Sequence, residues 1–267
     1  MKKSLKDAIV KKGLKVYGDL VMIDGDLYPL PLVQGNDKIG QDVWHASTLP
    51  TAETITIEKD GAIYSMRGTC PLTCPGCYGT KGNFARFSDP YFYLMKRTEF
   101  LRKYPEIYFY IAKKQIESEN IKLIRIHATG DFIPGEAAGW TEIFKDMPVL
   151  MGWTYTKCKI AGDIKRLAAL KNFNIVRSII PGCGFNFGHI DYILKVFNKL
   201  KAAGKNVYIC RCGIDKNQHC SNCAGCAVND YVLFIEHSTG YNASKDPLYN
   251  KIKKIIEKQP RQLLKIK

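Results

Sequence analysis

The stretch RGTCPLTCPGCYG, residues 67–79, carries three cysteines on one short loop, at Cys70, Cys74 and Cys77. Three thiolates can bind three irons of a cubane iron–sulfur cluster and leave the fourth iron without a protein ligand, whereas a structural zinc site is closed by four protein ligands. The proline and glycine residues between the cysteines favour the sharp turns that such a loop needs. The spacing C-x3-C-x2-C therefore predicts an open, reactive metal centre.

Strand and helix patterns alternate around this loop. Before it, ETITIEK and AIYSMR alternate apolar and polar residues on either side of the turn dipeptide Asp60-Gly61, which predicts a hairpin whose second strand leads into Cys70. Five strand patterns follow: KLIRIHA (122–128), VLMGWTY (149–155), NIVRSII (174–180), NVYIC (206–210) and YVLFIEH (231–237). Helical patterns fill most of the connections, near residues 90–104, 106–118, 161–172 and 190–204. Six strands in this alternation predict an α/β fold with parallel strands in a barrel or partial barrel, whose functional residues lie at the carboxyl ends of the strands.

The two ends of the chain have different patterns. Near the amino terminus, LKVYGDLVMI and LYPLPLV flank the turn dipeptide Asp24-Gly25, as expected for short antiparallel strands. We therefore predict a β-rich extension at residues 1–54, the barrel at residues 55–237 and a basic helix or tail at residues 238–267.

A second cysteine group, CRCGIDKNQHCSNCAGC at residues 210–226, lies between the last two predicted strands. Any metal there would be bound by Cys220, Cys223 and Cys226, with Cys210 or Cys212 as the fourth ligand. A C-x2-C-x2-C run is more typical of a 4Fe–4S cluster than of zinc, and clustered cysteines in a cytosolic chain favour metal binding over disulfides. The group therefore predicts a closed site for a second 4Fe–4S cluster or for zinc.

A third feature is the segment RIHATGDF, which places Thr129, Gly130 and Asp131 directly after a predicted strand. A carboxylate at this position can accept charge-assisted hydrogen bonds from a ligand ammonium. The three-cysteine loop after the first strand and this turn after the second resemble the radical S-adenosylmethionine (SAM) superfamily. The segments CPGCY, RIHATGDF and YTKC, with the late cysteines, further resemble a bacteriophage family known only as gene product 88, over roughly residues 55–237.

The resemblance implies a fold and a first cofactor. The fold is a radical-SAM-like (β/α)6 partial barrel with a small N-terminal β extension and a Cys-rich insertion near the C-terminus. The cofactor is a 4Fe–4S cluster on Cys70, Cys74 and Cys77. For the late group, the resemblance favours Cys210 over Cys212 as the fourth ligand.

The resemblance also implies that the chain binds SAM. Thr129, Gly130 and Asp131 would contact the methionine amino group, and Ser178 on the fourth strand would contact the carboxylate or the ribose. Tyr78 follows the third cysteine, whereas the superfamily usually has an aromatic residue just before it. With an electron from a donor such as flavodoxin or ferredoxin, the cluster would cleave SAM to a 5′-deoxyadenosyl radical that abstracts hydrogen from a substrate carbon. Neither the substrate nor a catalytic residue is named by the sequence.

Another interpretation of the cysteines stays open. CPGC and CAGC could be the two halves of a zinc ribbon in a non-catalytic module that binds nucleic acid or a protein, although this leaves Cys70 and Cys220 without a role. The net charge of +15 suits nucleic acid, but only nine of the 40 basic residues are arginine, the residue favoured for bidentate phosphate contacts. A solvated basic surface is therefore the favoured interpretation of the charge.

Composition and isolated residues give the remaining expectations. No uninterrupted apolar run approaches the roughly 20 residues of a membrane span, and we expect no membrane association and no targeting segment. We expect a cytoplasmic location, in the host cell if the chain is phage-encoded. Cys158 and Cys183 are expected to be buried and inert, and His127 is expected to be a hydrogen-bonded core residue.

Overall fold

The computed structural model describes residues 1–35, 40–74, 78–80, 88–180, 184–211, 214, 220, 223, 225–235 and 242–259. The α-helices within these residues are α1 Lys3–Lys11, α2 Ser88–Lys103, α3 Pro105–Glu119, α4 Glu136–Asp146, α5 Gly162–Ala168, α6 Ile190–Ala202, α7 Gly225–Val228 and α8 Tyr249–Lys258. The strands are β1 Lys15–Tyr17, β2 Leu20–Ile23, β3 Asp26–Pro29, β4 Val33–Gln34, β5 Val43–Ala46, β6 Thr54–Lys59, β7 Ala62–Arg67, β8 Leu123–Ile126, β9 Met151–Thr156, β10 Phe173–Arg177, β11 Ile179–Ile180, β12 Gly184–Phe185, β13 Phe187–Gly188, β14 Val207–Ile209 and β15 Tyr231–Ile235. None of these helices is long and apolar enough to cross a membrane.

The central sheet has five strands in the order β10-β9-β8-β5-β4. Strands β5, β8, β9 and β10 pair in parallel, and β4 pairs with β5 in the antiparallel direction. Leu123, Ile124 and Ile126 of β8 are fully buried, although they alternate between the two faces of the sheet. This near-continuous apolar run is expected for a parallel strand that is covered on both faces.

The strand before Cys70 lies outside this sheet, which corrects the prediction that it is the first strand of the barrel. It is β7, which pairs with β6 in a separate two-stranded hairpin closed by Asp60 and Gly61, both at positive φ. The hairpin itself was predicted correctly. Its alternating exposure has a physical reason, because one face packs on α2 while the other faces solvent. Strand β5 takes the place next to β8 that was expected for β7.

The two faces of the central sheet pack against different partners. One face belongs to the largest apolar cluster, in which Leu5 and Ile9 of α1, Ile111 of α3 and Trp140 of α4 are buried. The other face carries Trp153 and packs against the late cysteine segment. We call this second face the inner face, because it also leads to the cavity described below.

A second, three-stranded parallel sheet has the order β13-β15-β14. Helices α6 and α8 pack on it, and the predicted apolar stripe of α6 is confirmed by the burial of Ile190, Ile193, Leu194 and Leu200. The Cys-rich segment connects β14 to β15, as predicted. The described strands thus form a mixed α/β fold with several sheets, and they do not form a closed barrel.

The first fifty residues contain more than the predicted β-rich extension. Strands β1, β2 and β3 form an antiparallel sheet with Asp24 and Gly25 at positive φ in the predicted turn. Helix α1 was not predicted, and neither was α4. The division into 1–54, 55–237 and 238–267 stays a prediction, although the central sheet takes β4 and β5 from the first of these segments.

Candidate functional site

A cavity of about 200 Å³ lies where the parallel strands end at their carboxyl edge. Its walls include Cys70 and Cys74 of the three-cysteine loop, Thr129 and Gly130 of the turn after β8, and Ser178 just after β10. These residues are up to 108 positions apart in the sequence. The fold therefore brings together in one cavity three segments that were singled out separately in the sequence.

The three-cysteine loop is fixed to the sheet edge through Thr69. The Thr69 hydroxyl donates to Leu49 O (3.0 Å) and accepts a hydrogen bond from the backbone N–H of Asp131 (2.8 Å). The next residue, Cys70, donates its backbone N–H to Thr51 O (3.1 Å). Segments that follow β5, β7 and β8 are thus joined by buried hydrogen bonds, and Cys70 reaches the carboxyl edge although β7 is not in the sheet.

The turn after β8 requires glycine at position 130 for two reasons. Gly130 has φ of +84°, a left-handed conformation that L side chains rarely adopt. An added Cβ would also overlap Thr48 Oγ1 and lie 2.8 Å from both Thr48 O and Thr69 Oγ1. The glycine therefore lets this turn pack directly against the segments that hold Cys70.

Asp131 lies behind the cavity wall rather than on it. Its side chain is fully buried, and Asp131 is not among the described residues that line the cavity. The carboxylate accepts hydrogen bonds from the Thr156 hydroxyl (2.6 Å) and from the backbone N–H groups of Lys157 (2.7 Å) and Phe132 (2.9 Å). This geometry gives Asp131 a role in joining the ends of β8 and β9, and its predicted contact with a ligand ammonium stays a prediction.

His127 is a buried, hydrogen-bonded residue, as expected. Its Nδ1 lies 3.1 Å from Thr154 Oγ1 and its Nε2 lies 3.0 Å from Glu136 Oε1. It has φ of +57°, which is unusual for a residue other than glycine and costs energy that the two hydrogen bonds help to offset. The same Glu136 carboxylate accepts from Trp140 Nε1 (3.2 Å) within α4, and its contact with His127 fixes α4 against the end of β8.

Five polar residues of the cavity wall were not predicted as site residues: Arg125, His127, Tyr155, Lys157 and Asn186. Arg125 offered a signal, because it is the one charged residue in the apolar strand LIRI. Tyr155 ends the predicted strand VLMGWTY, and its side chain lines the cavity. Asn186 lies in a segment without a recognisable pattern, and nothing in the sequence distinguishes it.

The late cysteines lie on the inner face of the central sheet. Cys210, Cys220, Cys223 and Cys226 belong to one cluster with Tyr155 and Tyr208. The Tyr155 hydroxyl donates to Cys226 Sγ (2.6 Å), and the backbone N–H of Gly225 donates to Cys223 Sγ (3.5 Å). Burial, followed by the proximity of Cys220, raises the pKa of the Cys226 thiol, so it keeps its proton at neutral pH in the absence of a metal.

Three cysteines named in the sequence analysis, two as possible ligands and one as a buried residue, are outside the described structure. Cys77, Cys183 and Cys212 lie outside the described residues, as does the side chain of Tyr78. Among the described side chains, no group of three or more His, Cys, Asp or Glu has an arrangement that could hold a metal ion. Cys158 is the one isolated cysteine that is described, and burial, followed by the Asp131 charge, raises the pKa of its thiol to about 12. Cys158 is half-buried, not fully buried as expected, and the raised pKa of its thiol lowers the fraction of reactive thiolate.

The fold and the site define the chain as an α/β protein with a cysteine-lined cavity at the carboxyl edge of a parallel sheet, backed by a second cysteine group. A family model described as gene product 88 matches residues 30–229, and the chain belongs to that family. The matched residues include every predicted ligand from Cys70 to Cys226. Comparisons with curated proteins and with solved structures find no match.

Proposed function

We propose that the chain is an iron–sulfur protein that acts as a radical SAM enzyme on an unidentified substrate. The observation that carries the proposal is the shared cavity of Cys70, Cys74, Thr129, Gly130 and Ser178. An iron–sulfur cluster with one open iron needs a partly enclosed space beside its cysteines in which a second molecule can bind. The carboxyl edge of parallel strands is also where α/β folds place their reacting groups.

The chemistry of the donor set suits such a cofactor. Cys70 and Cys74 are two thiols on the cavity wall, and Cys77 follows three positions later on the same loop. When bound, a reduced cluster of this class supplies the electron that cleaves SAM to methionine and a 5′-deoxyadenosyl radical. A donor such as flavodoxin or ferredoxin would deliver that electron.

The chain's own residues would position the second molecule and exclude water. Thr129 and Gly130 form one wall, and the hydroxyl of Ser178 offers a hydrogen bond to a carboxylate or ribose from another wall. Asp131 holds the ends of β8 and β9 in register through its three hydrogen bonds. Fixed geometry at these strand ends is what a reactive intermediate requires, because side reactions are avoided only in a rigid, enclosed site.

The late group would hold a second 4Fe–4S cluster or a zinc ion on Cys210, Cys220, Cys223 and Cys226. The supporting observation is that all four residues lie in one apolar cluster on the inner face. None of them is among the described residues that line the cavity with Cys70 and Cys74. This separation favours two independent sites over a single zinc ribbon shared by CPGC and CAGC.

The decisive experiment is anaerobic reconstitution with iron and sulfide, followed by iron and sulfide analysis and by EPR of the reduced protein with and without SAM. We expect an EPR signal that changes when SAM is added, and slow formation of 5′-deoxyadenosine. Cys70→Ala should lose one cluster's worth of iron and the SAM-dependent change, whereas the matched control Cys158→Ala should retain both. Stoichiometric zinc without iron uptake would contradict the proposal.

A second experiment separates independent sites from a shared zinc ion. The metal content of Cys77→Ala and Cys226→Ala is compared with that of the double variant. Independent sites predict additive losses. A double variant that loses no more metal than either single variant indicates one shared ion and a non-catalytic module.

A further inference from the structure

The guanidinium of Arg125 lies in the cavity wall. It lies over the ring of Tyr155, with Cζ 5.1 Å from the ring centre, and its Nε is buried without a hydrogen-bond partner. Within the described residues, no carboxylate forms an ion pair with it and no oxygen accepts from it. Arg125 is partly exposed, and a guanidinium that is partly removed from water is stabilised by an anion that compensates its charge. The position is therefore suited to a ligand that supplies the missing negative charge.

The rest of the described wall adds further polar groups. Lys157 contributes a second cation, and Ser178 and Thr129 contribute hydroxyl groups. No acidic residue is among the described lining. The nearest candidate, Asp131, is fully buried and its carboxylate already accepts three hydrogen bonds from the protein. An anion in the cavity would thus meet the Arg125 guanidinium and no described carboxylate.

Asn186 provides a second, independent observation, because its side-chain oxygen lacks a hydrogen-bond donor among the described residues. It lines the cavity, its side chain is only 4 % exposed, and its Nδ2 donates to Arg177 O (2.7 Å) and Val232 O (2.9 Å). These two carbonyl acceptors fix which end of the amide is the nitrogen, because a flipped amide would oppose oxygen to oxygen. Its Oδ1 is buried and has no partner. Buried acceptors are rarely left unsatisfied, so this oxygen is available to an N–H or O–H of a ligand.

From these observations we propose that the cavity binds a ligand with a phosphate or carboxylate group and an adjacent hydrogen-bond donor. Arg125 binds the anionic oxygens, and Asn186 Oδ1 accepts from the donor. The volume of about 200 Å³ is below the roughly 300–1,000 Å³ of typical small-molecule sites, so it holds a small molecule or the polar end of a larger one. The inference names a ligand class for this cavity, and it stands whether or not the proposed radical chemistry does.

The test uses two matched pairs of probes with the full-length chain, measured by isothermal titration calorimetry. Inorganic phosphate and glycolate each carry an O–H donor beside the charge, whereas sulfate and acetate carry the charge alone. One hydrogen bond to Asn186 Oδ1 should make the donor-bearing member of a pair bind about threefold to tenfold more tightly. The pair that binds more tightly identifies the anionic group as phosphate or carboxylate.

Variants of Arg125 connect the binding to this residue. Arg125→Gln should weaken binding of the preferred probe by about tenfold or more, and Arg125→Lys should restore part of the affinity. Arg166→Gln removes the same charge from an exposed side chain and should leave binding unchanged. Because no described carboxylate forms an ion pair with Arg125, Arg125→Gln should unfold at the same urea concentration as the parent chain or at a higher one. That result would show that lost binding is not lost folding.

The outcomes are distinct. Absence of binding by all four probes overturns the inference, and so does binding that Arg125→Gln and Arg166→Gln weaken equally. Equal affinities within both probe pairs overturn the role of Asn186. Anion binding by a protein that takes up no iron would refute the proposed function and retain this inference, whereas SAM cleavage without anion binding would do the reverse.

Discussion

Replacing Gly130 by alanine tests how closely the turn after β8 packs against the segments that hold Cys70. The new Cβ would overlap Thr48 Oγ1 and lie 2.8 Å from Thr48 O. Thr48 O is a backbone atom that accepts a hydrogen bond from Thr129 Oγ1 (3.0 Å), so it cannot move aside without disturbing the turn. The substitution should therefore cost both backbone strain and steric overlap.

The expected loss in free energy of unfolding is the sum of the backbone strain and the steric overlap. A left-handed φ costs an L residue about 1–2 kcal/mol, and overpacking a buried site costs about 1–3 kcal/mol more. Gly13 is a matched control, because its φ is +85° against +84° for Gly130 and an added Cβ would have no neighbour within 4 Å. Gly13→Ala should cost the strain term alone. Gly130→Ala should therefore lose about 1–3 kcal/mol more free energy of unfolding than Gly13→Ala.

Urea denaturation followed by circular dichroism measures both variants against the parent chain. If the dependence of the free energy of unfolding on urea concentration is the same and the midpoint concentration is lower, the stability has changed and the unfolded state has not. Amide hydrogen exchange should also show lower protection at residues 69–70 and 128–131 in Gly130→Ala only. Equal losses in the two variants would refute the argument, because they would show that the turn has room for a methyl group.

Two further predictions concern buried ionisable groups. Asp131→Asn should lower the free energy of unfolding by about 2–4 kcal/mol, because one charge-assisted hydrogen bond is lost and the new amide NH2 faces a hydrogen-bond donor. The exposed Asp146→Asn is the control, and it should change the free energy of unfolding by less than about 0.5 kcal/mol in the same denaturation assay. An Asp131→Asn variant as stable as Asp146→Asn would remove the proposed joining role. Burial, followed by the charges of Arg97 and Arg125, lowers the pKa of His45 from 6.5 to about 4. Since the unfolded chain then binds the proton more tightly, stability should be intact above pH 6.5 and fall by about 3 kcal/mol towards pH 4. Unfolding midpoints at pH 7 and pH 4.5 should differ less in His45→Gln, and an unchanged difference would assign the pH dependence to other groups.

Most helices and strands of the barrel segment could be predicted because their signals are local. A dipeptide such as Asp60-Gly61 closes a hairpin through its own backbone preference, and the apolar stripe of α6 follows from residues within thirteen positions. Helix α4 was missed even though its apolar residues, among them Trp140 and Phe144, are buried. Its start lacks a side-chain cap, since Gly135 stands at the N-cap, and this removed the usual signal for a helix start.

The pairing of strands depends on contacts between distant segments, and the sequence did not predict that β5, and not β7, pairs with β8. The pattern of β7 is strong and lies next to Cys70, whereas β5 is only four residues long and contains Trp44 and His45. Pairing of β5 with β8 joins segments about 80 positions apart, and its stabilisation comes from packing on both faces of the finished sheet. The alternating exposure of β7 nevertheless marks a strand with one solvent face, which is a property of an antiparallel hairpin.

The sequence by itself determined the three-cysteine loop, the late cysteine group and the turn that contains Asp131, together with the order of the strands and helices around them. The spacing of residues along the chain determines which ligands can share a loop. Only the tertiary structure decided that Cys70, Gly130 and Ser178 share one cavity. It also decided that the Asp131 carboxylate accepts three hydrogen bonds within the protein, whereas Arg125 Nε and Asn186 Oδ1 have no hydrogen-bond partner among the described residues. Whether a polar group is satisfied depends on neighbours brought together by packing, and the linear pattern carries no record of them.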